Sequence, residues 1–211
     1  MSIISGMSGS QISALTTAQI QSLSTADFKA MSSAQINALS SEQVAAIETQ
    51  DLVVLNASQI AAFNQTAFSD GLLTYQAEAL SQTQVKALTT SQLSMLGSEQ
   101  IAALGTDVAA LTAAQLKSLS SEQLNALSTN QIAALKPAQV ASLTTEQMSK
   151  LSTDNVQALS ASQVMAMTVS QLNSLSSGQI AALDTGDVAA LTVTQVKGLS
   201  TANIQALSSD Q

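Results

Sequence analysis

The chain has 211 residues, 45% hydrophobic but only 2% aromatic, with 9% charged residues and a net charge of −8. Its six cations are all Lys, and without clustered Lys or Arg it lacks what a phosphate backbone or an anionic membrane surface requires. There is no Cys, which excludes disulfides and thiolate metal sites, and no run of eighteen apolar residues, so no segment reads as a membrane span.

The opening Met1-Ser2-Ile3-Ile4-Ser5-Gly6 has neither the basic nor the long apolar region of a secretory signal. From Met7 onward an eight-residue phrase, L-[ST]-x-x-Q-[ILV]-x-[AS], recurs in about twenty-five copies to Gln211. A short fixed period marks a stacked array, in which each unit buries its apolar face only against its neighbours.

The phrase encodes a helix start. In Leu119-Ser120-Ser121-Glu122-Gln123-Leu124, Ser120 is placed at the N-cap and Gln123 at N3, which makes a capping box. Leu119 at N′ and Leu124 at N4 then form a hydrophobic staple. Along the chain other residues fit this frame. Glu42, Glu99, Glu122, Glu146 and Asp154 fall at N2, beside the positive end of the helix dipole. Lys29, Lys86, Lys117, Lys150 and Lys197 fall beyond N4, toward its negative end. Pro137, the one proline, lands at N1, where its missing N–H is harmless. Where Gln is replaced at N3, Asp27, Asp51, Asp187, Asn155 and Asn203 stand in and are expected to meet the N-terminal amides less well. The small residue late in the phrase, such as Ala38, Ala126 or Ala206, is expected to let neighbouring helices approach.

The frame slips twice. Near 64–79 one residue is added, and Gly71 offers a left-handed turn there. Near 104–111 one residue is missing, around Gly105-Thr106-Asp107. Both are read as tolerated insertions or deletions; the sharper reading is a bend or binding patch carrying Tyr75, the single Tyr. Ser98 to Ser128 resembles Ser177 to Ser208, which points to duplication of a multi-copy block.

The expected fold is therefore all-α: a solenoid or superhelix of very short capped helices, one per eight-residue repeat, forming a single continuous array over 1–211. A β-solenoid is the alternative, since short periods and Ser, Thr and Val also suit coiled strands. A single long helix is disfavoured: Leu every eighth residue would advance about 80° per copy and form no seam. A six-residue helix is not stable alone in water, so contacts between copies must hold the array.

Chemistry is sparse. With no His, Cys, Arg or Trp, the chain lacks the common general base, the thiol nucleophile and a Ser-His-Asp site. The acids stand singly at helix starts, where capping explains them. Thr106-Asp107 and Asp184-Thr185-Gly186-Asp187 lack the dense oxygen ligands of calcium loops. Met31, Met148 and Met167 occupy Leu or Ile positions and are expected to fill the core. No catalytic, cofactor-binding or metal residue is assigned, and no cofactor is expected.

Leu15-Thr16-Thr17-Ala18-Gln19-Ile20 and Leu143-Thr144-Thr145-Glu146-Gln147-Met148 resemble the short tandem repeats of large bacterial secreted and surface proteins of adhesin-like or haem-utilisation type. The resemblance covers almost the whole chain and implies a stalk or spacer in an extracellular protein. No His offers a haem ligand. The phrase is also similar to the opening helix of TAL-effector repeats, but the base-reading loop and second helix are missing, so DNA binding is not carried over. The expected role is a structural spacer, at the cell surface or outside the cell. The alternative is a binding module whose Ser/Thr-rich surface meets a protein, a glycan or ice. Self-association through the solenoid ends is a further expectation; an enzyme is not expected.

Overall fold

The computed structural model describes residues 4–211; Met1-Ser2-Ile3 lie outside them. Among the described residues twenty-four α-helices and one 3-10 helix follow one another, from Gly9–Ser13 to Thr201–Ala206. No strand occurs among the described residues, which removes the β-solenoid alternative. The helices are interrupted every few residues, so the single long rod is absent as well.

Most helices begin as the phrase dictates. Ser120 has extended dihedrals (φ −68°, ψ 160°) ahead of helix Ser121–Asn125. Its Oγ accepts the Gln123 backbone N–H at 3.1 Å, and Gln123 Oε1 accepts the Ser120 N–H at 2.7 Å. These are the two reciprocal bonds of a capping box. The halves separate where the N-cap side chain has no acceptor. At Leu73, Gly97 and Lys136 only the Gln half is made, with Gln76, Gln100 and Gln139 accepting the N-cap N–H. Pro137 stands at the first helical position, as its chemistry requires.

The chain ends each helix and re-extends at the next Leu, so two apolar rows result. The N4 row is sealed along most of the array, with Ile36, Val44, Leu124 and Val140 all fully buried, and opens near the C-terminal end, where Val196 is 47% and Ile204 45% exposed. The Leu row is nearly so, with Leu119 3% and Leu127 2% exposed. Met31, Met148 and Met167 sit in these rows as core fillers. Each buried aliphatic side chain removes enough apolar surface to contribute about 1.5–3 kcal/mol, against about 1 kcal/mol for a typical cap.

The chain divides into two compact units, Met1–Leu111 and Thr112–Gln211, with the boundary at the end of the second frame slip. Within each unit, helices pack on the third helix along: Ser41–Ala45 on Gln65–Gly71 in the first, Pro137–Ser142 on Ala161–Ala166 in the second.

The Gln side chain ties these layers. Gln147 Nε2 donates to the carbonyls of Leu116 (3.0 Å) and Leu119 (2.8 Å), which lie 31 and 28 residues earlier. Gln43 does the same to Ile12 and Leu15, and Gln171 to Val140 and Leu143. The acceptors are carbonyls at a short helix's C-terminal end, which has unmet acceptors by construction. One side chain thus caps its own helix through Oε1 and the end of an earlier helix through Nε2. The spacing places one superhelical turn between three and four octads.

Both frame slips preserve the apolar rows. In the first, the extra residue lies between Phe68 and Leu72, and helix Gln65–Gly71 lengthens to seven residues to hold it. Gly71 has no left-handed dihedral, contrary to the expectation for it. It is required for space: a Cβ there would lie 2.3 Å from the Ser41 carbonyl oxygen and 2.8 Å from Val44 Cβ. In the second slip the extended N-cap is lost, and 3-10 helix Gly105–Ala110 follows Leu104 directly. Here Gly105 takes the left-handed turn, at φ +57°.

Candidate functional site

The Gln of the phrase is mostly buried in its capping role, while the outer surface carries Ser, Thr and scattered charges together with exposed apolar side chains, Val193 (70%) foremost among them. Shallow grooves break this surface, three of them of about 490 to 630 Å³ among the described residues. In the first unit, one of about 570 Å³ runs between Ser33–Asn37 and Ala61–Thr66, crossed by an Asn37 Nδ2 bond to the Ala62 carbonyl at 3.1 Å. A second, of about 490 Å³, is the most apolar and holds Leu72, Leu73, Tyr75, Gly97 and Glu99. Tyr75 is 53% exposed and Leu73 38%, so the first frame slip does present the aromatic side chain singled out from sequence. In the second unit a groove of about 630 Å³ is lined by Asp184, Asp187, Ser208 and Asp210.

The N3 substitutes behave differently from one another. Asp27 Oδ2 accepts from the Ser24 N–H at 3.0 Å and from Ser24 Oγ at 2.6 Å. Asn155 and Asn203 reach back rather than cap. Their Nδ2 atoms point to the earlier carbonyls of Leu124 (3.5 Å) and Leu172 (2.8 Å). A second asparagine takes over the cap: Asn125 Oδ1 accepts the Ser152 N–H, and Asn173 Oδ1 the Ser200 N–H, both at 2.8 Å. The expectation that these substitutes would meet the N-terminal amides therefore fails at Asn155 and Asn203, where Asn125 and Asn173 take that bond.

Two acids are perturbed upward. Burial, then the nearby Glu48 carboxylate, raises Asp51 above the usual carboxylate range. Burial, then Asp184, raises Asp187, against a lowering bond from the Asp184 backbone. Glu42 is held below that range by its own backbone N–H and then by the Ser40 hydroxyl at 2.8 Å. Among the described residues no three of His, Cys, Asp and Glu group so as to hold a metal ion. Thr106 and Asp107 lie in the 3-10 helix Gly105–Ala110.

Short capped helices stacked at a fixed sequence interval define an α-helical tandem-repeat protein. The model of the ALTTAQ repeat matches residues 23–47, 74–106, 106–137, 132–161 and 180–211, together more than half of the chain. The chain belongs to the ALTTAQ repeat family. No curated protein matches it. No helix among the described residues is long and apolar enough to cross a membrane.

Proposed function

We propose that the chain is a structural spacer, a stalk segment of a bacterial surface or secreted adhesin-like protein, acting outside the cell and without catalysis. The observation that carries this reading is the direction of the polar groups. The Ser/Thr and Gln of the repeat close hydrogen bonds inside the array, as at Thr144 and Gln147. Repetition of one self-satisfying unit lengthens an array without building a new site. The negative net charge supports the absence of a nucleic-acid partner.

A second reading, a module for a protein or glycan, draws on the groove at Leu73, Tyr75 and Gly97. Exposed Tyr beside apolar carbon is a surface that partners often use. A glycan array and a bacterial surface-protein panel probed with the whole chain separate the two. The spacer reading expects no saturable ligand. A single saturable ligand whose binding is lost in Tyr75→Ala would replace it with the binding module.

A further inference from the structure

Two Gln slots, one in each unit, hold aspartate: Asp51 in helix Thr49–Leu52 and Asp187 in helix Thr185–Ala189. Both residues are buried, at 2% and 5% exposure. Each retains one carboxyl oxygen, Asp51 Oδ1 and Asp187 Oδ2, with no hydrogen-bond partner. A buried carboxylate oxygen without a donor is costly.

The neighbouring slots show what faces that oxygen. Gln43 and Gln59 donate to carbonyls 31 residues earlier, at Ile12 and Phe28. Gln179 and Gln195 do so at Met148 and Val164. Asparagine, the same length as aspartate, reaches the same acceptor, as Asn203 does at Leu172. The repeat phase therefore assigns Ile20 O to Asp51 and Val156 O to Asp187. Ionised, the Asp oxygen would oppose a carbonyl lone pair; protonated, its O–H supplies the donor that the amide supplies elsewhere.

We propose that Asp51 and Asp187 keep their protons in the folded chain on the acid side of neutrality, each donating its proton to the Ile20 or Val156 carbonyl, so that two of the ties between layers depend on pH.

The surroundings favour the neutral form. Glu48 and Asp184 are the only acids at an N-cap among the described residues, and they stand at these two helices. Neither makes a side-chain cap bond. The other ionisable groups on adjoining helices are Asp27, Lys29, Tyr75, Glu78 and Lys86 around Asp51. Around Asp187, helix Ala161–Ala166 has none, and Asp154 and Asp210 complete the set. Of all these, Glu48 bears on Asp51 and Asp184 on Asp187, and both oppose ionisation. The sign follows from linkage. A carboxyl whose folded pKa is raised contributes stability fully below its unfolded value, about 4. It loses that contribution as pH rises through the folded value. The ties hold in acid and loosen toward neutrality.

The test compares thermal unfolding of the whole parent chain with Asp51→Asn, Asp187→Asn and the double variant, from about pH 3.5 to 7.5. Asn keeps the donor at every pH. The expected result is near-equal Tm at the acid end and a double variant that melts progressively higher as pH rises. Carboxyl carbon NMR of the parent should show both groups titrating above about 4. A Tm gap that does not change with pH, or carboxyls titrating at or below that value, overturns the proposal. So does stabilisation of the parent, but not the double variant, by millimolar Ca²⁺ at neutral pH, which would place a cation where the proton is assigned.

Discussion

The two frame slips have opposite sign and opposite solutions. Near 64–79 the surplus residue is absorbed by lengthening a helix, and Gly71 then clears the Ser41 backbone and Val44 by lacking a side chain. Near 104–111 the shortfall is met by deleting the extended cap, and Gly105 makes the reversal at φ +57° with nothing within 4 Å of its missing Cβ. Phe68, Leu72, Leu104, Val108 and Leu111 stay buried throughout. The polar device is the part given up: Asn64 makes only one half of a capping box, and Gly105–Ala110 has no side-chain cap at all. The apolar rows therefore set the register, while the caps refine it.

If that ranking is right, the most damaging change is in a row. Leu119→Asp or Leu127→Asp should destabilise by about 4 kcal/mol, read by chemical denaturation, because a charge enters a sealed layer. A variant that unfolds like the parent would disprove the core assignment. Next comes Gln147→Glu, which keeps the capping oxygen but sets a carboxylate against two carbonyls; a loss of about 3 kcal/mol at neutral pH is expected. Equal stability would mean the local cap alone explains the Gln. Gly71→Ala should cost about 2 kcal/mol through overpacking against backbone. Gly105→Ala should cost about 1 kcal/mol, from its dihedral alone. If these two matched, and Gly105→Asn recovered nothing, the division into a spatial and a dihedral glycine would fail. The smallest effect is a gain: Lys136→Ser adds the missing half of a capping box and should stabilise by about 0.5–1 kcal/mol.

The sequence was most legible where the physics is local. Ser120, Gln123, Leu119 and Leu124 lie within six residues, so capping box and staple follow from spacing, as does Pro137 at N1. The tie from Gln147 to Leu116 and Leu119 is not legible locally, because the capping box already accounts for the Gln and the partners lie 31 and 28 residues away. A signal was present: Glu serves a capping box as well as Gln does, and it suits the helix dipole better. The phrase nevertheless uses Gln, and the surplus amide is what reaches back. The spatial role of Gly71 is hidden from the sequence for a related reason. Its neighbour Val44 is distant in sequence, and only the packing of helix Gln65–Gly71 on Ser41–Ala45 brings them together. The Asn125–Asn155 and Asn173–Asn203 pairs share that cause, each pair being split across layers.

The Gln147 side-chain amide is the most direct witness. In isotope-edited NMR its Nε2 protons should exchange slowly with solvent and show contacts to Leu116 and Leu119. Rapid exchange at the rate of a free glutamine, with contacts confined to Thr144, would contradict a side chain that joins one layer to the layer beneath it.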